Sequence, residues 1–110
     1  MKLSINSSDN LKTIIRLDKK EWVTAYTSPR EQNVMGALIT ALKQESSTIK
    51  DISSIEVTTG PGSFTGIRVG VAIAIALSFA LNIPINNQPA GSSITPNYGK
   101  APNISRSKLW

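Results

Sequence analysis

Polar and apolar residues alternate from the start of the chain. Leu3 and Ile5 flank Ser4, and Asn6-Ser7-Ser8-Asp9-Asn10 then reads as a turn. Thr13-Ile14-Ile15-Arg16-Leu17 comes next, followed by a second turn at Asp18-Lys19-Lys20 and an aromatic, β-branched run at Trp22-Val23-Thr24-Ala25-Tyr26. This pattern predicts three short strands joined by tight turns, an antiparallel meander. The period then changes. Ser28-Pro29-Arg30-Glu31 has the form of a capping box, with Ser at the N-cap, Pro at the first helical position and Glu at the third. Beyond it Val34, Leu38 and Leu42 form one stripe, with Met35 and Ile39 beside it, and Lys43 suits the dipole at the far end. A helix from Pro29 to Gln44 is expected, covering a sheet. Ile52 to Thr58 supplies a fourth strand.

The last apolar segment, Ile67 to Leu81, alternates like a strand at Val69, Val71, Ile73, Ile75 and Leu77. Its length without a breaker argues for a helix, and Asn82-Ile83-Pro84 gives a stop. On that helix Gly66, Gly70, Ala74 and Ser78 make a groove of small side chains. Ala72, Ala76 and Ala80 make a second small row, and Val71, Ile75 and Phe79 a large one. No charge occurs from Val69 to Leu81, a run too short to span a bilayer, which takes about 20 residues. A helix apolar all round must be covered all round, and one sheet covers only one side. The expected contact surface for a partner helix is therefore Gly66, Gly70, Val71, Ala74, Ile75 and Ser78, where small residues permit close approach. The fold class that follows is α/β: a three-strand meander, then helix-strand-helix, on a mixed sheet.

At 110 residues the chain has room for one small domain. It contains no cysteine and no histidine, which excludes disulfides, thiolate catalysis, cysteine-bound metal and any Ser–His arrangement. No metal or cofactor is expected. The net charge is +5, and all seven acids lie before residue 86. From Asn86 onward Asn, Pro, Gly and Ser dominate, and Lys100, Arg106 and Lys108 have no acidic counterpart. Residues 1–88 are expected to form the folded lobe, and residues 89–110 an extended, largely disordered basic tail. Such a tail favours nucleic acid, although three charges are few. Met1-Lys2-Leu3-Ser4 turns polar at once, unlike an export signal, so the cytoplasm is the expected compartment and no membrane is expected as a partner.

Between the fourth strand and the last helix lies Gly60-Pro61-Gly62-Ser63-Phe64-Thr65-Gly66. A glycine-rich turn at a helix N-terminus can present N–H groups to an anion, so Gly60, Gly62, Ser63, Thr65, Gly66 and Arg68 are candidate anion-binding residues. No Gly-Lys-Ser/Thr follows, and the glycine spacing is not that of a dinucleotide fingerprint. The other reading is a tight strand-to-helix turn with glycines where the backbone packs closely.

The run Thr59-Gly60-Pro61-Gly62-Ser63-Phe64-Thr65-Gly66-Ile67-Arg68-Val69-Gly70 resembles the signature of the TsaB family, also described as glycoprotease-like proteins. Lys2 to Ser8 is similar to that family's opening strand and turn, and Arg30 to Leu42 to its first helix; the likeness extends to about residue 88. The resemblance implies a single actin/Hsp70-like (ribonuclease-H-like) lobe, where family members normally have two. It implies no catalysis of its own and pairing with a TsaD-type subunit that transfers threonylcarbamoyl to adenosine 37 of tRNA. A TsaE-type ATPase completes the complex, tRNA is met through it, and pairing with a second copy stays open. Three departures stand out. Asn6 replaces the family's usual Asp, Arg30-Glu31-Gln32 replaces a His-Ser-Glu element, and the chain has about half the usual length. Pro96 to Ile104 faintly resembles the end of longer members. Two further readings remain beside the scaffold subunit: a phosphate- or nucleotide-binding module using the Gly60–Gly66 turn, and a truncated remnant.

Overall fold

The computed structural model describes residues 1–97. Strands β1 (Lys2–Asn6), β2 (Lys12–Leu17) and β3 (Lys20–Ala25) form the expected meander. Helix α1 (Val34–Gln44), strand β4 (Ser54–Val57) and helix α2 (Phe64–Leu81) follow. The sheet order is β3-β2-β1-β4, antiparallel except where β4 runs parallel to β1 with Leu3 opposite Ile55 and Ile5 opposite Val57. The sheet is thus mixed. A parallel neighbour needs a crossover, and α1 provides it.

Period-two alternation sorts the strands into two faces. Leu3, Ile5, Ile15, Leu17, Ile55 and Val57 point to one face and are buried there with Val34, Leu38, Ala41 and Leu42 of α1 and Ile67, Val71 and Ala74 of α2. Ser4, Arg16, Glu21 and Glu56 sit at the alternate positions, where Arg16 pairs with Glu21 at 3.2 Å and Lys2 with Glu56 at 3.4 Å. Both ion pairs are exposed and therefore contribute little.

The start of the first helix differs from expectation. Pro29–Glu31 forms a separate 3-10 turn, and Ser28 makes no side-chain cap bond. Gln32 breaks the helical path with ψ near 127°. Its side-chain amide instead donates to the Asp9 and Lys12 carbonyls. The operative N-cap is Asn33, whose Oδ1 accepts from the Gly36 N–H at 2.9 Å. Glu31 accepts from both the N–H and the hydroxyl of Thr27, so it reaches back one residue past Ser28 and only the Glu half of the box forms, on a single turn.

The final helix starts at Phe64, three residues before the apolar run, because Ser63 Oγ accepts from the Gly66 N–H. That makes α2 18 residues long, apolar and long enough by composition to cross a membrane, so the length argument drawn from Val69–Leu81 does not hold for the whole helix. Ile67, Val71, Ala74 and Leu77 pack into the core, which accounts for the apolar character of one side of the helix only. Asn82 ends it in the left-handed conformation, as the Asn-Ile-Pro stop predicts.

After α2 the chain returns to the sheet edge. Ile85 is fully buried and bridges Ile55 in parallel, while the Asn86 side chain accepts from the Val57 N–H at 2.8 Å and donates to the Val57 carbonyl. One amide thus stands in for a strand's backbone. The boundary expected at residue 88 falls within packed chain: Ile94 is 9% exposed and belongs to the core. The rest of the expected tail, with Lys100, Arg106 and Lys108, lies outside the described residues.

Candidate functional site

The opening turn and the glycine-rich turn are fastened to each other. Ser63 N–H donates to the Ser8 carbonyl at 2.7 Å. Ser7 is fully buried, and its hydroxyl donates to the Gly66 carbonyl at 2.7 Å. A Cβ built on Gly66 would overlap the Ser7 carbonyl oxygen, and one built on Gly70 would overlap Ser7 Oγ. Gly60 has φ +124°, a conformation L side chains rarely adopt, and its Cβ position is filled by the Asn97 carbonyl oxygen. The glycines therefore let two loops and a returning segment approach at backbone distance.

Of the candidate anion-binding residues, Gly60, Gly62, Ser63 and Gly66 are drawn into this loop-to-loop contact. Thr65 and Arg68 are not. They sit on the exposed side of α2, where the Arg68 guanidinium lies over the Phe64 ring, 5.3 Å from its centroid. Asn6, in place of the expected Asp, accepts from the N–H and hydroxyl of Ser8 at 3.1 and 2.7 Å. Its side-chain oxygen is used to close the turn. Among the described residues no cluster of acidic side chains with metal-ligand geometry occurs.

The structure places most of the expected partner surface inside the chain. Gly66, Gly70, Val71, Ala74 and Ser78 are buried within the chain itself, and Ile75 is half-buried. Gly66 packs on Ser7, and Gly70 on Ser7 and on Ile5 of β1, because the sheet needs close approach as much as any partner would. The Ser78 hydroxyl donates to the Ile83 carbonyl and accepts from the Gly91 N–H. The outward face of α2 is instead Phe64, Val69, Ala72, Ala76, Phe79 and Ala80. Phe79 is 78% exposed, Phe64 55% and Val69 42%. Phe64, Thr65, Arg68, Val69 and Ala72 line a shallow cavity of about 350 Å³. The alanine row carried the signal, since two small rows on one apolar helix cannot both face one sheet.

The family described as "TsaD: tRNA N6-adenosine threonylcarbamoyltransferase" matches residues 28–87, more than half of the sequence. The chain belongs to this family. No curated protein matches it. Among solved structures it is similar to YeaZ from Pseudomonas aeruginosa, with a TM-score of 0.63 and 21% identity over 76% of this chain and 42% of that one. It is also similar to an uncharacterized protein with similarity to peptidase YEAZ from Pseudomonas aeruginosa, with TM-score 0.63, 22% identity, and coverage of 76% and 40%. Likeness at this identity shows the fold, the actin-like α/β fold of YeaZ (TsaB). The chain spans about two-fifths of the length of these neighbours, in keeping with one lobe.

Proposed function

We propose that this chain is a non-catalytic dimerisation subunit that supports threonylcarbamoyl transfer to adenosine 37 of tRNA by a TsaD-type partner. The observation that carries this reading is the outward face of α2. Phe64, Val69 and Phe79 stand exposed on a helix of about 27 Å whose one charged residue is Arg68. Contiguous exposed apolar surface of this kind marks interaction sites. Family membership supplies the partner's class, and the cytoplasm is the compartment that tRNA modification implies. The fastening of the two turns favours a scaffold over a nucleotide module, because the Gly66 N–H in the first turn of α2 is taken by Ser63 Oγ and the Ser63 N–H by the Ser8 carbonyl. The chain also lacks the histidine and cysteine that most often do acid–base and nucleophilic work.

The test is association of the purified chain with a TsaD-type subunit, followed by calorimetry or by co-elution on a sizing column. A complex at micromolar concentration is expected. Its absence, with a folded chain, would overturn the reading.

A further inference from the structure

Residues 89–97 run back along α2 from its C-terminal end towards its N-terminal end. At the start, the Gly91 N–H donates to Ser78 Oγ at 2.9 Å, and a Cβ built on Gly91 would sit 3.6 Å from the Phe79 ring. In the middle, Ile94 is the one large apolar residue between Asn86 and Asn97, and its side chain enters the core. At the end, the Asn97 N–H donates to the Thr59 carbonyl, and the Asn97 carbonyl fills the Cβ position of Gly60. Gly60 in turn neighbours Ile67, whose Cδ1 would be 3.1 Å from that Cβ. The two ends of the segment therefore mark the two ends of one flank of α2. Ile67, Val71 and Ser78 fall on it at helical spacing, with Ile75 beside them. Phe79, at one end, joins this flank to the exposed apolar face.

Val71, Ile75 and Ser78 are three of the residues that the sequence marks for a partner. We propose that residues 89–97 are a displaceable strap, which holds the place of a partner segment on this flank of α2 and leaves when the partner docks. The inference rests on the docking role of α2 proposed above. The strap is built to be released. Pro89 directly follows the Ile85–Gln88 bridge and lacks the N–H that would extend the sheet edge, and Pro96 lacks it near the other end. A segment anchored by one apolar side chain and short hydrogen-bonded ends opens at a free energy well below that of global unfolding. Binding that requires opening is weakened by the fraction of open chain, so a released strap should tighten it.

The chain has no cysteine, so Ile94→Cys creates a single thiol whose labelling rate reads the strap directly. The free chain should label slowly, and adding a TsaD-type subunit should accelerate labelling about tenfold. Ile94→Asp, which opens the strap without a partner, should bind that subunit about tenfold more tightly. Labelling that is unchanged or slowed by the partner would overturn the strap, and so would an Ile94→Asp chain, folded by circular dichroism, that binds no more tightly. If Ile94→Asp fails to fold, the Ile94→Cys labelling decides alone. If the parent chain forms no complex at all, the docking role falls and the strap with it; if a complex forms and the Ile94→Cys thiol stays protected within it, only the strap falls.

Discussion

Ser7 is a polar side chain with no exposed surface, and its one hydroxyl proton goes to the Gly66 carbonyl. Its oxygen also occupies the space beside Gly70, so the two residues share one site between the end of β1 and α2. Gly70→Ala places a methyl group against that oxygen and should destabilise the chain by about 1–3 kcal/mol, read by denaturant unfolding. Ser7→Ala loses a buried hydrogen bond and should cost about 0.5–1.5 kcal/mol. The double variant should cost less than the sum, because removing the oxygen opens the space that the Gly70 methyl needs. Additive costs would show that the two residues do not share the space. Lower partner affinity in a Gly70 variant would then follow from lost fold stability rather than from a blocked contact.

At the scale of elements, the caps decide where helices begin. Ser28 lies in the right sequence context but caps nothing, whereas Asn33 holds the Gly36 N–H. Asn33→Ala should lower stability by about 1 kcal/mol, and Ser28→Ala by less than about 0.5 kcal/mol. Thermal unfolding of the two single variants separates them; equal losses would place the helix start at Pro29 after all. The same logic applies to the glycine-rich turn. Its helix is capped by Ser63, and its neighbour Asn6 is spent on Ser8. Titration with magnesium-ATP should therefore give no heat of binding with the folded chain. A saturable isotherm would restore the nucleotide-module reading.

At the scale of the molecule, two helices cover one face of the sheet, and α2 keeps a second apolar face turned outward. Val69→Asp adds a charge to the exposed face without touching the core. It should leave the unfolding midpoint nearly unchanged and weaken partner binding by about 2 kcal/mol, or roughly 30-fold, as for a central contact residue. Lys43→Ala, exposed near the end of α1, should change neither by more than about 0.5 kcal/mol. Equal affinity for the parent and a folded Val69→Asp chain would move the interface away from α2.

The sequence by itself determined the element order, the meander, the mixed α/β class, the stop at Asn82 and the family signature. Each is written in local spacing: period two in the strands, period 3.6 in the helices, and glycines where chain segments pass closely. It also required that α2 be covered on more than one side, because a helix with no charge from Val69 to Leu81 cannot face water all round. Which row meets which cover was settled only in three dimensions. Gly66, Gly70 and Ala74 turned to the sheet because Ser7 and Ile5 reach into that groove, leaving Phe64, Val69 and Phe79 outside. The packing of Ile94, the engagement of Asn86 with Val57 and the contact of Asn97 with Gly60 were equally hidden. They join residues tens of positions apart inside a stretch rich in Asn, Pro and Ser, where no periodic pattern signals what will be buried.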